Sequence, residues 1–92
     1  MSYSIELTPK ALEGIDKLKK SGNKPVLKKI RRLLEELTEH PYTGTGQPEQ
    51  LKHNLAGFWS RRINQEHRIV YAVDEKKVTV TIISANGHYT SS

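Results

Sequence analysis

Gln47-Pro48-Glu49-Gln50-Leu51-Lys52-His53-Asn54-Leu55-Ala56-Gly57-Phe58-Trp59-Ser60-Arg61-Arg62-Ile63-Asn64-Gln65-Glu66-His67-Arg68-Ile69-Val70-Tyr71-Ala72-Val73 is the stretch on which the reading of this chain turns. Its flanks, Phe58 to Ile63 and Ile69 to Val73, carry the β-branched and aromatic residues of strands. Yet Glu49, Lys52, His53, Arg61, Arg62, Glu66, His67 and Arg68 crowd the same stretch, beside Trp59, the chain's single tryptophan. Charges on strands either mark a working face or decorate a solvated one with ordinary ion pairs. Outward from here, Phe58 to Asn64 and His67 to Val73 join through a tight connection at Asn64-Gln65-Glu66, and Lys77 to Ile83 follows a turn at Asp74-Glu75-Lys76. Such short links predict an antiparallel meander. Val78, Val80 and Ile82 alternate with Lys77, Thr79 and Thr81, which predicts one buried face for the last strand.

Upstream, Tyr3, Ile5 and Leu7 alternate with Ser4 and Glu6 as in a short half-buried strand. Thr8 offers a hydroxyl cap and Pro9 suits the first helical position, where its missing N–H has no partner to lose. The helix that starts there has Leu12, Ile15 and Leu18 on its apolar side, with Ala11 beside them, and Ser21-Gly22-Asn23 closes it. From Pro25 a second helix places Val26, Leu27, Ile30, Leu33, Leu34 and Leu37 on one face, with Asn23 as its cap. Its other face carries Lys28, Lys29, Arg31 and Arg32 before Glu35, Glu36 and Glu39, against the helix dipole. Arg31–Glu35 and Arg32–Glu36 at i,i+4 partly offset this. The basic cluster is either a binding surface or a solvated helix face. His40-Pro41 stops the helix, and Gly44, Gly46 and Pro48 form a loop that delivers Glu49.

The order is β-α-α-β-β-β, an α+β fold with two helices packed on one face of a twisted antiparallel sheet and the other face open. Residues 1–92 form one small domain, of which 85–92 is a segment containing His88-Tyr89 and a short polar tail. A hydrophobic fraction of 35% and a mean hydropathy of -0.66 describe a polar globule. With 15 Lys and Arg against 10 Asp and Glu, the net charge is +5. That surplus suits a phosphate backbone or an acidic protein, and charge alone does not choose. The absence of Cys excludes disulfides and thiolate metal sites. Met1 to Thr8 lacks the basic lead and apolar run of a signal peptide, and Ile69 to Val73 is too short to span a bilayer. A cytoplasmic protein with no membrane partner is expected.

Cleavage of RNA by its own 2′-OH needs a base for that hydroxyl, a cation on the phosphate and an acid for the departing 5′ oxygen. Glu49 is the candidate base, Arg68 the candidate phosphate ligand on a rigid strand, and His88 the candidate acid, with Tyr89 to orient or stack on a nucleobase. Arg68 shares a strand face with Val70 and Ala72, although a structural ion pair with Glu66 or Glu49 is an alternative. Arg61 and Arg62 point to opposite sides of their strand, so at least one faces the working side and both are carried as phosphate-binding candidates. His40, His53, His67 and His88 lack the helical pairing of a metalloprotease, which argues against a zinc site, and no cofactor is expected. No Gly-x-Ser-x-Gly elbow supports a serine nucleophile.

The run from Pro41 to Val73, with Gln47-Pro48-Glu49-Gln50-Leu51-Lys52-His53-Asn54, Gly57-Phe58-Trp59-Ser60-Arg61-Arg62-Ile63 and Glu66-His67-Arg68-Ile69-Val70-Tyr71-Ala72-Val73, together with Gly87-His88-Tyr89, strongly resembles the YoeB (Txe) toxins within the RelE superfamily. The resemblance implies a microbial-ribonuclease-like fold and a ribosome-dependent mRNA interferase, which cleaves message in the ribosomal A site without a metal and is neutralised by a cognate antitoxin. By matching motif, Glu49 is implied as general base, Arg68 as transition-state stabiliser, His88 as general acid and Tyr89 as the orienting residue, with Lys52 and Arg62 as supporting cations. Lys28, Lys29, Arg31 and Arg32 are candidates for ribosome binding, and a homodimer is one assembly compatible with the family. A catalytically inactive relative that binds ribosomes, nucleic acid or an antitoxin is the alternative reading of the same surface.

Overall fold

The computed structural model describes residues 2–84, the side chains of Ile82 and Ser84 excepted. Strand β1 (Ser4–Leu7) leads into helix α1 (Pro9–Lys20), followed by helix α2 (Lys24–Leu37). Strands β2 (Glu49–Gln50), β3 (Trp59–Arg62), β4 (Arg68–Asp74) and β5 (Lys77–Ser84) follow, with a 3-10 turn at His53–Leu55 between β2 and β3.

Both helix starts follow from their caps. The Thr8 hydroxyl accepts from the Ala11 N–H (3.1 Å) and donates to the Thr81 carbonyl (2.7 Å), so one side chain ends β1, starts α1 and ties both to β5. Asn23 accepts from the Val26 N–H (3.3 Å) at the head of α2. Along α2, Val26, Ile30, Leu33 and Leu37 are buried, as their helical spacing predicts.

In α1 the seated face is rotated from the expected one. Ala11 and Leu18 are buried, whereas Leu12 is 51% exposed. Gly14 explains the rotation: a methyl group there would overlap the backbone carbonyl of Ile83, so the helix lies against β5 along the Ala11–Gly14–Leu18 line. Gly14→Ala is therefore expected to destabilise the protein by about 2 kcal/mol, lowering Tm by roughly 10 °C, although Ala is the better helix former. Thermal unfolding of the variant checks this, and an unchanged or higher Tm would show that the close approach is not needed.

The sheet order is β1-β5-β4-β3-β2, and β3, β4 and β5 form the expected antiparallel meander. The sheet is mixed, however, because β1 pairs parallel with β5 through Ser4↔Lys77 to Leu7↔Val80. The chain leaves β1, crosses through both helices and returns through the meander, so β1 enters on the far side of β5. Between Val70 and Tyr71 the β4–β5 register shifts: Val70 pairs with Ile82 and Tyr71 with Val80. Thr81 is the extra residue, and its hydroxyl donates to the Val70 carbonyl at 3.0 Å. The bulge breaks the alternation of β5, so that Ile83 joins Val78 and Val80 in the helix-side core.

That core unites Ala11, Leu18, Val26, Ile30, Leu33 and Leu37 with Ile63, Ile69, Tyr71, Val78, Val80 and Ile83. The opposite sheet face is less open than expected. Ser60 and Val70, which pair across β3 and β4, have no solvent exposure.

Candidate active site

Glu49 reaches the sheet because the preceding loop can pass close to β3. Gly46 has φ +87, and its carbonyl accepts from the Arg62 N–H at 2.7 Å. A Cβ on Gly46 would stand 2.6 Å from the Arg62 carbonyl, and one on Gly44 (φ +120) would stand 2.6 Å from Glu36 Oε1. Glycine is required at both places, for its positive φ and for its missing side chain. Three residues after Gly46 the chain pairs with β3 through Glu49↔Ser60 and Gln50↔Trp59. Two residues without alternation give no strand signal, so this short strand is not expected from the sequence.

Paired residues share a sheet face. Glu49 therefore stands with Ser60 and Val70 in one row, and Arg62 with Arg68 in the next, all on the side away from the helices. The β3–β4 connection fixes the second row. Asn64 Oδ1 accepts from the N–H groups of Glu66 and His67, both at 2.8 Å, and the Ile63 N–H donates to the His67 carbonyl at 2.8 Å. This closes the turn with Arg62 and Arg68 opposite each other. His67 is buried within it, and its Nδ1 has no partner among the described residues.

Arg68 is the pivot of this face. Its Nη1 donates to the buried Ser60 hydroxyl at 2.9 Å and lies 4.0 Å from Glu49 Oε2. Of the alternatives left open by the sequence, the ion pair is with Glu49, and it is a loose one. The Arg68 side chain keeps 18% of its surface exposed and that of Glu49 keeps 39%, so both can be reached from solvent. Arg62 is exposed. Like charges on directly paired positions repel, and two guanidinium groups facing one row of the sheet offer an anion a site. Lys52, also exposed, precedes the 3-10 turn that follows β2. His88 and Tyr89 lie outside the described residues.

Arg61 is corrected as a phosphate-binding candidate. It is fully buried on the helix side of β3. Its Nη1 lies 3.0 Å from Glu36 Oε1, its Nε donates to Tyr71 Oη at 3.3 Å, and its other donors reach loop carbonyls of His40, Thr43 and Thr45. The reason is strand geometry: of two adjacent residues only one can face away from the core. What the sequence did not reveal is the buried role of Arg61 with Tyr71 and Glu36, and the contact of Ser60 with Arg68. Alternation set Arg61 on the face of Trp59 and Tyr71, and a buried arginine demands a carboxylate and carbonyl partners. That was the available signal.

Burial raises the Glu36 pKa, but hydrogen bonds from Thr45 and the Arg61 charge outweigh it and hold the carboxyl below the usual range. Burial pushes the Tyr71 hydroxyl up, against the opposing effect of Arg61. Because the folded-state pKa of Glu36 is depressed, its contribution is complete above the unfolded-state value and is lost as pH falls through the folded-state value. Stability should therefore decline below about pH 4, and Glu36→Gln should flatten that part of the profile. Denaturant midpoints between neutral pH and pH 3 check this; parallel profiles for the two proteins would contradict it.

Lys28, Lys29, Arg31 and Arg32 lie on α2, in the helix layer across the sheet from Glu49 and Arg68. With Pro25 and Glu35 they line a surface depression of about 500 Å³. Of the two i,i+4 pairs read from sequence, Arg32–Glu36 forms at 3.7 Å, and no Arg31–Glu35 bridge occurs among the described residues.

The comparisons with known proteins agree with one another. Toxin YoeB of Escherichia coli strain K12 is 48% identical over 67 residues, which is 73% of this chain and 77% of that protein. A YoeB/ParE toxin from Agrobacterium tumefaciens superposes with a TM-score of 0.81 at 28% identity, covering 90% of this chain and 98% of that one. YoeB of Staphylococcus aureus, solved in a YoeB-YefM complex and also as a dimer, is 38% identical with a TM-score of 0.78; the complex covers 91% of this chain and 97% of that one. A family model described as the YoeB-like toxin of bacterial type II toxin-antitoxin system matches residues 7–89. The α+β architecture, the run around Glu49 and Arg68 and the match over nearly the whole chain give one result: the chain belongs to the YoeB-like toxin family of bacterial type II toxin–antitoxin systems.

Proposed function

We propose that the chain is a ribosome-dependent mRNA endoribonuclease that cuts message in the A site and thereby inhibits translation. The observation that carries this reading is the sheet face on which Arg68 stands 4.0 Å from Glu49 and directly opposite Arg62 in the register. A carboxylate beside two accessible guanidinium groups is what attack by a 2′-OH on its own phosphate requires.

In this mechanism Glu49 takes the 2′-hydroxyl proton as that oxygen bonds to phosphorus. Arg68 grips the phosphate oxygens as charge builds on them, with the Ser60 hydroxyl setting the angle of its guanidinium. Arg62 and Lys52 act as the supporting cations. The bond from phosphorus to the 5′ oxygen breaks, and His88 supplies that oxygen with a proton. His88 follows Ser84, the register partner of Arg68, by four residues, a covalent reach of at most about 14 Å. Tyr89 orients the nucleotide. The family resemblance implies that no metal takes part.

Lys28, Lys29, Arg31 and Arg32 form the proposed ribosome contact on the opposite side of the molecule, where they can engage rRNA phosphates while the other face holds the message. A cognate antitoxin is the proposed protein partner and a homodimer a proposed assembly, since the Staphylococcus aureus relative is solved both with YefM and as a dimer. The cytoplasm is the proposed compartment, and no described helix is long and apolar enough to cross a membrane.

The chemistry has a direct test. Attack by the 2′-OH leaves a 2′,3′-cyclic phosphate and a 5′-hydroxyl end, and a message with a single 2′-deoxy nucleotide at the cut position should resist cleavage there. Cutting of the deoxy message at that position would contradict the mechanism.

A further inference from the structure

Arg61 uses every N–H of its guanidinium. Nε donates to Tyr71 Oη (3.3 Å), Nη1 to Glu36 Oε1 (3.0 Å) and the Thr45 carbonyl (3.3 Å), and Nη2 to the carbonyls of Thr43 (2.6 Å) and His40. The same cluster reaches the loop twice more. Tyr71 Oη donates to the Pro41 carbonyl at 2.6 Å, and Glu36 Oε1 accepts from the Thr45 N–H at 2.9 Å. Residues 40–46 lie between α2 and β2 and contain no helix or strand. Their conformation is held by this buried cluster and, at Gly46, by the Arg62 N–H, with the His40 N–H on the Glu36 carbonyl (2.7 Å) and the Tyr42 ring 5.1 Å from that of Trp59 as further ties.

From this we infer that Arg61 is a positioning residue for the reaction: by clamping residues 40–46 it sets the place of Glu49 relative to Arg68. The inference rests on the ribonuclease reading for its kinetic part. Strand β2 pairs with β3 through Glu49↔Ser60 and Gln50↔Trp59, continued by the Leu51 N–H on the Phe58 carbonyl at 2.9 Å, so the ladder holds the chain at and after Glu49 while the loop sets its approach. At 4.0 Å from Arg68, Glu49 is at the limit of an ion pair, so a small shift of the loop separates the two groups. A buried ion pair that served only stability could be replaced by apolar residues of similar volume. Here the guanidinium is directed at loop carbonyls, which an apolar residue cannot hold. Two sheet faces are thereby linked: Arg61 reads the loop from the core side, while Arg62, its neighbour, fixes the same loop at Gly46 and faces the site.

Tyr71→Phe and Glu36→Gln test this with little change of volume, each studied well below its thermal transition. Amide hydrogen exchange at Thr45 and Arg62 should accelerate about tenfold or more in both variants, with the amides between β4 and β5 keeping wild-type rates. Cleavage of translated message should show kcat lower by roughly tenfold to a hundredfold, with KM for ribosome-bound message unchanged. Unaltered exchange at Thr45 and Arg62 overturns the clamp. Accelerated exchange with unaltered kcat overturns its positioning role. Absence of cleavage by the wild-type chain in the same assay is a failure of the ribonuclease reading instead, and the exchange comparison then decides on the clamp alone.

Discussion

Glu49→Gln is expected to lower message cleavage by about 10²–10⁴-fold while ribosome binding is retained. The amide keeps the shape of the carboxylate, and the side chain is 39% exposed, so packing and fold are preserved. What disappears is the ability to accept the 2′-hydroxyl proton. Single-turnover cleavage beside a ribosome-sedimentation assay separates the two effects. A variant that binds and still cuts at the wild-type rate would remove Glu49 from the role of base and leave its 4.0 Å pairing with Arg68 as an ordinary surface contact.

Arg61→Met is expected to cost about 3–5 kcal/mol of stability, a large part of what a domain of this size possesses. Methionine fills much of the volume but leaves the Glu36 carboxylate without its buried partner and the carbonyls of His40, Thr43 and Thr45 without their donor. Unmet polar groups in a closed interior carry their full desolvation penalty. Urea unfolding monitored through Trp59, the chain's only tryptophan, measures the change. A loss below about 1 kcal/mol would place this arginine among ordinary surface ion pairs. By comparison, Arg62→Met should cost little stability, since that side chain is exposed, and should lower cleavage instead. Two adjacent arginines thus have opposite expected phenotypes.

The legible parts of the chain are those governed by local chemistry. Thr8 and Asn23 act as caps because a short oxygen-bearing side chain can meet orphan N–H groups wherever a helix begins. The meander follows from short turns, and the face of α2 from its helical period. Features set by distant partners were not legible. Parallel pairing of β1 with β5 depends on where the chain returns after both helices. The bulge at Thr81 depends on β4 and moves Ile83 into the core against an unbroken alternation in sequence. In α1 the missing side chain of Gly14 outweighed the apolar periodicity that pointed to Leu12.

The site divides in the same way. Strand alternation separated Arg61 from Arg62 but could not say which faced solvent, because that depends on which side the helices cover. Once the helices cover the Tyr71 side, Arg62, Arg68, Ser60 and Glu49 fall together on the other. Ser60 was not readable as a partner of Arg68, since its role depends on a diagonal contact across β3 and β4. The basic run on α2 was visible as composition, but its position behind the sheet came only with the fold.

Mapping of mRNA 5′ ends in a reconstituted bacterial translation reaction, with the purified protein, the Glu49→Gln and His88→Ala variants and a naked-RNA control, decides whether this chain is a ribosome-dependent ribonuclease. Cuts are expected on translated message alone, at positions set by the A site, and should be lost in both variants. Cuts of equal strength on naked RNA, or no cuts by a wild-type protein that binds the ribosome, would contradict it.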